Sequence, residues 1–214
     1  MNQNRKPIDY AKASCETMMR KFAAQDLPPK GHFHYHQGVF LSGVYQTYRL
    51  CGDERYFQYI KDWVDSIIDE NGEIHTFDKG QLDDIQPGIL LYPLLDKTGD
   101  QRYQKALDTL LPIIRDFPRN KDGGFWHKEG CPEQMWLDGL YMAQPFYMQY
   151  EAEYNGCKNC EDSYQQFLQV YDRMRDPLNG LYYHAYDDSR QMFWCDKVTG
   201  LSENFWLRAM GWYA

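Results

Sequence analysis

Apolar and polar residues recur along the chain with the 3.6-residue period of amphipathic helices. After Asp53, aromatic and aliphatic residues return every three or four positions as far as Ile68, with charged residues between them. Other segments are apolar or aromatic nearly all round, as buried helices are. The pattern therefore predicts alternating outer and inner helices. The predicted outer helices cover residues 8–23, 54–69, 101–116 and 162–175, and the predicted inner helices cover residues 36–50, 84–97, 136–152 and 204–214.

A short motif occurs twice and marks the repeat unit. The sequence Gly52-Asp-Glu-Arg-Tyr56 returns 47 residues later as Gly99-Asp-Gln-Arg-Tyr103. In each copy the glycine follows an inner helix and the aspartate precedes an outer one, where these residue types are favoured as caps. A repeat of this length predicts stacked helix pairs. The Gly-rich linkers are expected to form loops or short hairpins, and no strand-rich region competes, so the predicted fold class is all-α.

Composition narrows the choice of partners. The 214 residues carry a net charge of −8 without any block of Lys and Arg, which disfavours nucleic acid and anionic membranes as partners. No apolar run is long enough for a transmembrane helix, and the first residues do not resemble a secretory signal. Six cysteines make no dense disulfide framework, so reduced thiols and a cytoplasmic location are expected. The pair Cys157 and Cys160 lacks a second CxxC or a histidine pair, which disfavours a metal or redox site.

Ionisable residues recur where the predicted inner helices begin. These starts are His34 to Gln37, Asp83 with Asp84, Trp136 to Asp138, and Trp206 to Arg208. If the inner helices run parallel in a barrel, all four starts lie on one rim. Convergent polar groups in an apolar surrounding are typical of an active site.

Asp138 is the strongest catalytic candidate at this rim. It begins an otherwise apolar helix, and a buried carboxylate costs several kcal/mol unless it is paired or functional. Asp83 and Asp84 can equally be helix N-caps. Arg208 can pair with a buried aspartate or bind a substrate carboxylate. Paired carboxylates next to aromatic rings indicate glycoside chemistry.

Five stretches carry a family resemblance: HFHYHQGVF (32–40), LDDIQPG (82–88), GGFWHKEG (123–130), QMWLDGLYMAQPF (134–146) and ENFWLRAMGWYA (203–214). In this order and over nearly the whole chain, they resemble the unsaturated rhamnogalacturonyl hydrolases of glycoside hydrolase family 105. The resemblance implies a six-hairpin (α/α)6 barrel, with about four of its helix pairs in this chain. It implies no metal and no cofactor.

The resemblance also implies a substrate and a reaction. The substrates are disaccharides from rhamnogalacturonan with a 4,5-unsaturated galacturonate at the non-reducing end. An aspartate protonates C4 of the enol ether, water adds at C5, and the hemiketal collapses to release rhamnose. Asp138 matches the general acid/base, and Asp83 matches the second active-site carboxylate, with Asp84 as the alternative. The residues that match the lining of the sugar pocket are Tyr35, His127, His184, Trp206, Arg208 and Trp212. Lys128, Arg208 and the histidines are the candidate ligands of the substrate carboxylate.

Alternatives to this function stay open at the level of sequence. The chain can be an unsaturated glucuronyl hydrolase acting on glycosaminoglycan fragments, or a non-catalytic sugar-binding protein with the same barrel. A sugar epimerase is disfavoured because the inner helices offer no convincing histidine pair. We expect residues 1–214 to form a single α/α-barrel domain that is C-terminally truncated, because the chain stops inside the fourth predicted inner helix. The sequence makes no prediction of oligomeric state.

Overall fold

The computed structural model describes residues 5–214, and within them the chain is mostly helical. The helices are α1 (Pro7–Lys21), α2 (Tyr35–Cys51), α3 (Glu54–Asp65), α4 (Leu91–Thr98), α5 (Gln101–Arg115), α6 (Leu137–Tyr154), α7 (Cys160–Met174) and α8 (Leu207–Tyr213). Two short strands are β1 (Gln134–Trp136) and β2 (Ala185–Asp187), and three 3-10 segments are Ala24–Asp26, Leu82–Asp84 and Gln86–Leu90. No helix in the described part of the chain is both long and apolar enough to cross a membrane. The predicted all-α class is confirmed.

The chain divides into two compact units. The first comprises Met1–Phe77 and Pro87–Thr109, and the second comprises Asp78–Gln86 and Leu110–Ala214. All but one of the candidate site residues belong to the second unit. The exception is Tyr35, which begins α2 in the first unit.

Helix α3 shows how the periodic pattern folds in the first unit. The carboxylate of Asp53 accepts a hydrogen bond from the backbone N–H of Arg55 at 3.1 Å and so caps the helix. The apolar positions then fall on one face, and all of them are buried: Tyr56, Phe57, Tyr59, Ile60, Trp63 and Val64. The ring of Trp63 stacks on Phe33 at a centroid distance of 6.0 Å. Burying large side chains of this kind stabilises the fold by about 1.5–3 kcal/mol each.

The repeat predicted from the Gly-Asp-x-Arg-Tyr motif is visible in the backbone. Gly52 ends α2 with φ of 68°, and Gly99 ends α4 with φ of 69°. Asp100 accepts from the N–H of Arg102 at 3.0 Å, as Asp53 does from Arg55. Both motifs therefore join an inner helix to an outer one by the same pair of caps.

The second unit is built around an apolar cluster to which α6, α7, α8 and both strands contribute. Its buried members are Met135, Leu137, Leu140, Val170, Met174, Tyr186 and Ala209. Helix α6 is buried along most of its length, as predicted for an inner helix. This cluster fixes the beginning of α6, where Asp138 lies, relative to β1 and β2.

One predicted inner helix is wrong in its first half. The expected helix over residues 84–97 is regular α-helix only from Leu91, and the segment before it consists of two 3-10 turns. Pro87 explains the difference, because a proline disfavours the helical conformation in the residue before it and removes a backbone donor. Asp83 and Asp84 consequently lie in a 3-10 turn rather than at the N-terminus of an α-helix.

The linkers form one pairing that the sequence did not predict. Strand β1 pairs antiparallel with β2, with Gln134 opposite Asp187, Met135 opposite Tyr186 and Trp136 opposite Ala185. Residue 136, predicted as the first residue of a helix, is instead the last residue of a strand. Such a pairing joins distant linkers, so no local periodicity signals it.

A pair of glycine substitutions tests how the first unit is packed. Gly52 and Gly72 both have positive φ, but a Cβ on Gly52 would meet nothing within 4 Å. A Cβ on Gly72 would lie 2.6 Å from Cβ of Lys105 and 2.7 Å from the carbonyl oxygen of Arg102. We expect Gly52→Ala to lower the free energy of unfolding by about 1 kcal/mol and Gly72→Ala by about 3 kcal/mol. Chemical denaturation of both variants measures the difference, and equal losses would contradict the packing described here.

Candidate active site

Asp138 lies where β1 passes directly into α6. Trp136 keeps the extended conformation of the strand, and the N–H of Leu137 donates to the carbonyl oxygen of His184 at 3.1 Å. Asp138 therefore occupies the first turn of α6 beside His184, and only 6% of its surface is exposed. Its Oδ2 lies 3.5 Å from Nδ1 of His184. Neither atom makes a hydrogen bond within the described residues, so this buried pair is available for proton transfer.

Burial also sets the charge of the histidine in this pair. His184 is partly buried, and desolvation lowers its pKa, with the neighbouring His127 and Arg208 acting in the same direction. When Asp138 is ionised, its negative charge acts the other way but does not compensate. His184 is therefore held as a neutral imidazole, which can accept or donate a proton.

Asp83 is the centre of a second charged cluster. Its Oδ2 lies 2.8 Å from Nζ of Lys128, and its Oδ1 lies 3.4 Å from Nε2 of His127. Burial by itself would raise the pKa of Asp83, but the hydrogen bonds and charges of His127 and Lys128 outweigh it and lower the pKa to about 2. The cluster is held by the backbone as well, because the N–H of Leu82 donates to the carbonyl oxygen of His127 at 3.2 Å. Asp83 is thus an ionised, paired carboxylate.

A row of aromatic rings runs from the Asp83 cluster to the Asp138 pair. His127 stacks on Trp136 with a centroid distance of 4.3 Å, and the ring of Trp136 lies 5.7 Å from His184. Trp206 follows with its ring 4.9 Å from His184 in an edge-to-face arrangement. Gly139 leaves room for the row, since a Cβ there would lie 3.3 Å from Nδ1 of His127. The two carboxylates are therefore positioned by one continuous packed structure.

An open cavity of about 780 Å³ adjoins this row. It is lined by Trp136, His184, Ala185, Phe193, Trp194, Ser202, Glu203, Asn204, Phe205 and Trp206. Aromatic side chains make up half of the lining, and flat aromatic surfaces suit sugar rings. A cavity of this volume is large enough for a small-molecule ligand.

Arg208 provides positive charge beside the cavity. Its guanidinium carbon lies 3.8 Å from the centre of the Trp206 ring, which is a close cation–π contact. Within residues 5–214, no carboxylate lies near enough to Arg208 to form an ion pair. Lys128, by contrast, is paired with Asp83. Of Lys128 and Arg208, Arg208 is therefore the one whose charge an anion can use.

The structure brings together most of the predicted site residues of the second unit. His184 and Trp206 line one edge of the cavity, and Asp138 contacts His184 but is not itself part of the lining. Asp83, His127 and Lys128 form the adjoining cluster. The members of this cluster are absent from the cavity lining, and His127 is only 2% exposed.

The remaining predicted residues have other surroundings. Trp212 lies on α8 with its ring 4.8 Å from Tyr141. In the first unit, the Tyr35 ring stacks on His36 at 4.2 Å, and its assignment to the sugar pocket stays a prediction. Oδ2 of Asp84 accepts a hydrogen bond from the N–H of Asp78 at 2.8 Å. Asp83 contacts the predicted site residues His127 and Lys128.

Sequence reasoning missed several residues that line the cavity. Trp136 was noted at a helix start but not assigned a role, although it touches both clusters. Phe193, Trp194, Glu203 and Asn204 also went unassigned. The aromatic pair Phe193-Trp194 was an available signal, because it interrupts a mainly polar segment from Asp187 to Lys197, and loops often carry binding residues.

Metal ligation was expected to be absent from this site. Within the part of the chain that the structure describes, no three His, Cys, Asp or Glu side chains are grouped as a metal would require. The absence of a cofactor remains a prediction of the sequence analysis.

Comparison with known proteins gives concordant results. The model of Glycosyl Hydrolase Family 88 matches residues 10–214. The unsaturated rhamnogalacturonyl hydrolase YesR of Bacillus subtilis (strain 168) is 30% identical over 183 residues, which cover 83% of this chain and 50% of that protein. Protein Atu3128 of Agrobacterium fabrum is 36% identical over 73 residues, or 34% of this chain and 31% of that protein. The chain thus spans half the length, or less, of these curated relatives.

Solved structures agree with the fold. A glycoside hydrolase of family 105 from C. acetobutylicum ATCC 824 superposes with a TM-score of 0.89 at 36% identity, covering 98% of this chain and 57% of that one. A possible family 105 member from Klebsiella pneumoniae has a TM-score of 0.77 at 19% identity, covering 99% of this chain and 58% of that one. The second similarity concerns the fold alone.

The charged cluster predicts how Asp83 responds to the loss of its lysine. Because the pKa of Asp83 is lowered in the folded state, the cluster contributes stability above the unfolded value of about 3.9. That contribution disappears as the pH falls through about 2. We expect Lys128→Gln to raise the pKa of Asp83 and to move this loss of stability to higher pH. Carboxyl-carbon NMR titration measures the shift, with Lys121→Gln as control because Lys121 pairs with Asp188. An unchanged Asp83 titration in Lys128→Gln would contradict the pairing.

Proposed function

The chain belongs to glycosyl hydrolase family 88. Because a 30% identical relative is an unsaturated rhamnogalacturonyl hydrolase, we propose that the protein hydrolyses unsaturated galacturonyl-rhamnose disaccharides derived from rhamnogalacturonan. The kinship with family 105 predicted from the motifs is confirmed by the 36% identity to a solved member of that family. One observation carries the proposal. A buried carboxyl group, Asp138, faces a neutral histidine that lines a sugar-sized, aromatic cavity.

The proposed reaction begins with a proton transfer from Asp138. The proton goes to C4 of the C4=C5 enol ether, and positive charge develops at C5. Water adds at C5 and loses its proton to Asp138, which restores the carboxyl group. The resulting hemiketal opens by breaking the bond between C5 and the ring oxygen, which leaves a ketone at C5 and a hemiacetal at C1. The hemiacetal then breaks its bond to the leaving sugar and releases rhamnose. In this proposal, the buried position of Asp138 keeps competing water away from the acid and holds the acid at a fixed place for the proton transfer.

Asp83 has a positioning role in this proposal. Its ionised carboxylate holds His127 and Lys128, and His127 in turn stacks on Trp136. Trp136 directly precedes the helix whose first turn carries Asp138. Loss of Asp83 would leave the buried His127 without its charged partner and disturb the aromatic row.

The substrate carboxylate is assigned to Arg208 in this proposal. A guanidinium presents paired donors to a carboxylate, and Arg208 is held in one orientation by the Trp206 ring. This explains how a chain with a net charge of −8 can take an anionic sugar. The partner is therefore a small-molecule disaccharide, and the cysteine usage of the sequence supports a cytoplasmic location.

A second candidate function is hydrolysis of unsaturated glucuronyl disaccharides from glycosaminoglycans. One finding favours it: the family model that matches residues 10–214 is that of family 88 and not that of family 105. The same acid and the same enol ether would be used, so only the preferred substrate separates the two candidates.

Replacing Asp138 tests the reaction and its acid together. With an unsaturated galacturonyl-rhamnose disaccharide and the full gene product, we expect Asp138→Asn to lower kcat about 100- to 10,000-fold, because the amide cannot donate a proton to carbon. The assay follows loss of the ultraviolet absorbance of the C4=C5 bond. The control is Asp172→Asn, an exposed carboxylate on α7. Substantial turnover by a folded Asp138→Asn would overturn the assignment.

The same assay separates the candidate functions. Turnover of the unsaturated glucuronyl disaccharide but not of the galacturonyl one would favour the second candidate. Binding of either sugar without turnover by the unaltered protein would indicate a sugar-binding protein.

Replacing Arg208 tests recognition of the carboxylate. We expect Arg208→Gln to lower kcat/KM for the acidic disaccharide roughly 10- to 100-fold, since a charge-assisted hydrogen bond is lost. The methyl ester of the same disaccharide carries no charge on this group, so its kcat/KM should fall much less in Arg208→Gln. Arg190→Gln, which removes an exposed arginine of the same unit, is the control. Equal losses for the acid and the ester would exclude Arg208 as the carboxylate ligand.

A further inference from the structure

The segment from residue 188 to residue 204 forms a wall of the cavity that the proposed reaction does not use. Phe193 and Trp194 line the cavity from this segment, and Phe193 is 91% exposed. Glu203 and Asn204 line it as well, and both are exposed. The wall thus combines two aromatic surfaces with a carboxylate and an amide.

Two buried or capped turns hold this segment in shape. Asp187 is completely buried, and its carboxylate accepts hydrogen bonds from Ser189 and from the N–H of Met192 at 2.8 Å. Asp196 accepts from the N–H groups of Val198 and Thr199 at 2.9 and 2.6 Å. A loop organised by two internal carboxylates presents its aromatic side chains at a fixed place, which lowers the entropy lost when a ligand binds.

The end of the segment is bonded to the backbone of the candidate active site. The N–H of Ser202 donates to the carbonyl oxygen of Ala185 at 2.9 Å, and the N–H of His184 donates to the carbonyl oxygen of Asn204 at 3.1 Å. Glu203 lies between these two bonded residues. Any ligand in contact with this wall is therefore next to the histidine that faces Asp138.

The charges at the cavity indicate which part of a disaccharide lies against the wall. Arg208, stacked on Trp206, attracts the carboxylate of the unsaturated ring. Glu203 would repel that carboxylate, because it is exposed, lines the cavity and forms no hydrogen bond or ion pair through its side chain with another described residue. A carboxylate and an amide accept and donate hydrogen bonds to hydroxyl groups, and aromatic faces pack on the apolar faces of sugar rings.

We infer that Phe193, Trp194 and Glu203 form the binding site for the leaving sugar, and that Glu203 selects a neutral sugar over an acidic one. This inference rests on the proposed function, since it assigns the second ring of the same substrate. Specificity of this kind comes from a repulsive element as well as from attractive contacts.

Three substrates with the same unsaturated galacturonate test the inference in the full gene product. The first carries rhamnose, the second carries galacturonate as the leaving sugar, and the third is the methyl glycoside, which has no second ring. We expect Glu203→Gln to raise kcat/KM for the acidic leaving sugar about tenfold relative to the neutral one. We expect Phe193→Ala to lower kcat/KM about fivefold more for the rhamnoside than for the methyl glycoside.

Val198→Ala is the matched control, because Val198 is exposed in the same loop but does not line the cavity. It should leave all three rates unchanged. An unaltered ratio between acidic and neutral leaving sugars in Glu203→Gln, or equal losses for both glycosides in Phe193→Ala, would overturn the inference while the proposed function stands. Failure of the unaltered protein to consume any of the three substrates would overturn both.

Discussion

The candidate site depends on the antiparallel pairing of β1 with β2. Three residue pairs and the bond from Leu137 to the carbonyl oxygen of His184 bring the beginning of α6 to the loop that carries this histidine. The pairing therefore places the buried Oδ2 of Asp138 3.5 Å from Nδ1 of His184. The apolar cluster of α6, α7 and α8 holds the pairing in place.

Two carboxylates of the same unit are placed in opposite electrostatic surroundings. Asp83 has a cation and an imidazole within 3.4 Å, and its pKa falls to about 2. Asp138 has only a neutral imidazole opposite its buried oxygen. A permanently charged carboxylate suits the task of holding other side chains. Oδ2 of Asp138 makes no hydrogen bond within the described residues and is therefore open to a different task. The aromatic row of His127, Trp136 and His184 keeps these two roles apart.

The sequence predicted those features that arise from local chemistry. The helix pairs follow from hydrophobic periodicity, and the repeated caps follow from Gly52, Asp53, Gly99 and Asp100. The choice of Asp138 as the catalytic candidate follows from the free-energy cost of burying a carboxylate. The predictions were wrong for features that depend on residues far apart in sequence or on a single backbone constraint. Pro87 breaks a helix that periodicity alone predicts, and β1 pairs with a strand about fifty residues further along the chain. The cavity wall was not predicted because Phe193 and Glu203 come together with His184 only in the folded chain, where all three line the cavity.

A protein with a net charge of −8 can bind an anionic substrate if a cation near the binding site is not already neutralised by a carboxylate. Lys128 is committed to Asp83, so its charge is largely cancelled before any ligand arrives. Arg208 makes no ion pair among the described residues and is instead held by the face of Trp206. A ring face orients a guanidinium without neutralising it, because the attraction of the π-system is far weaker than that of a carboxylate. In the proposed complex, attraction by Arg208 and repulsion by Glu203 would then orient a disaccharide by its charge, independently of the overall charge of the protein.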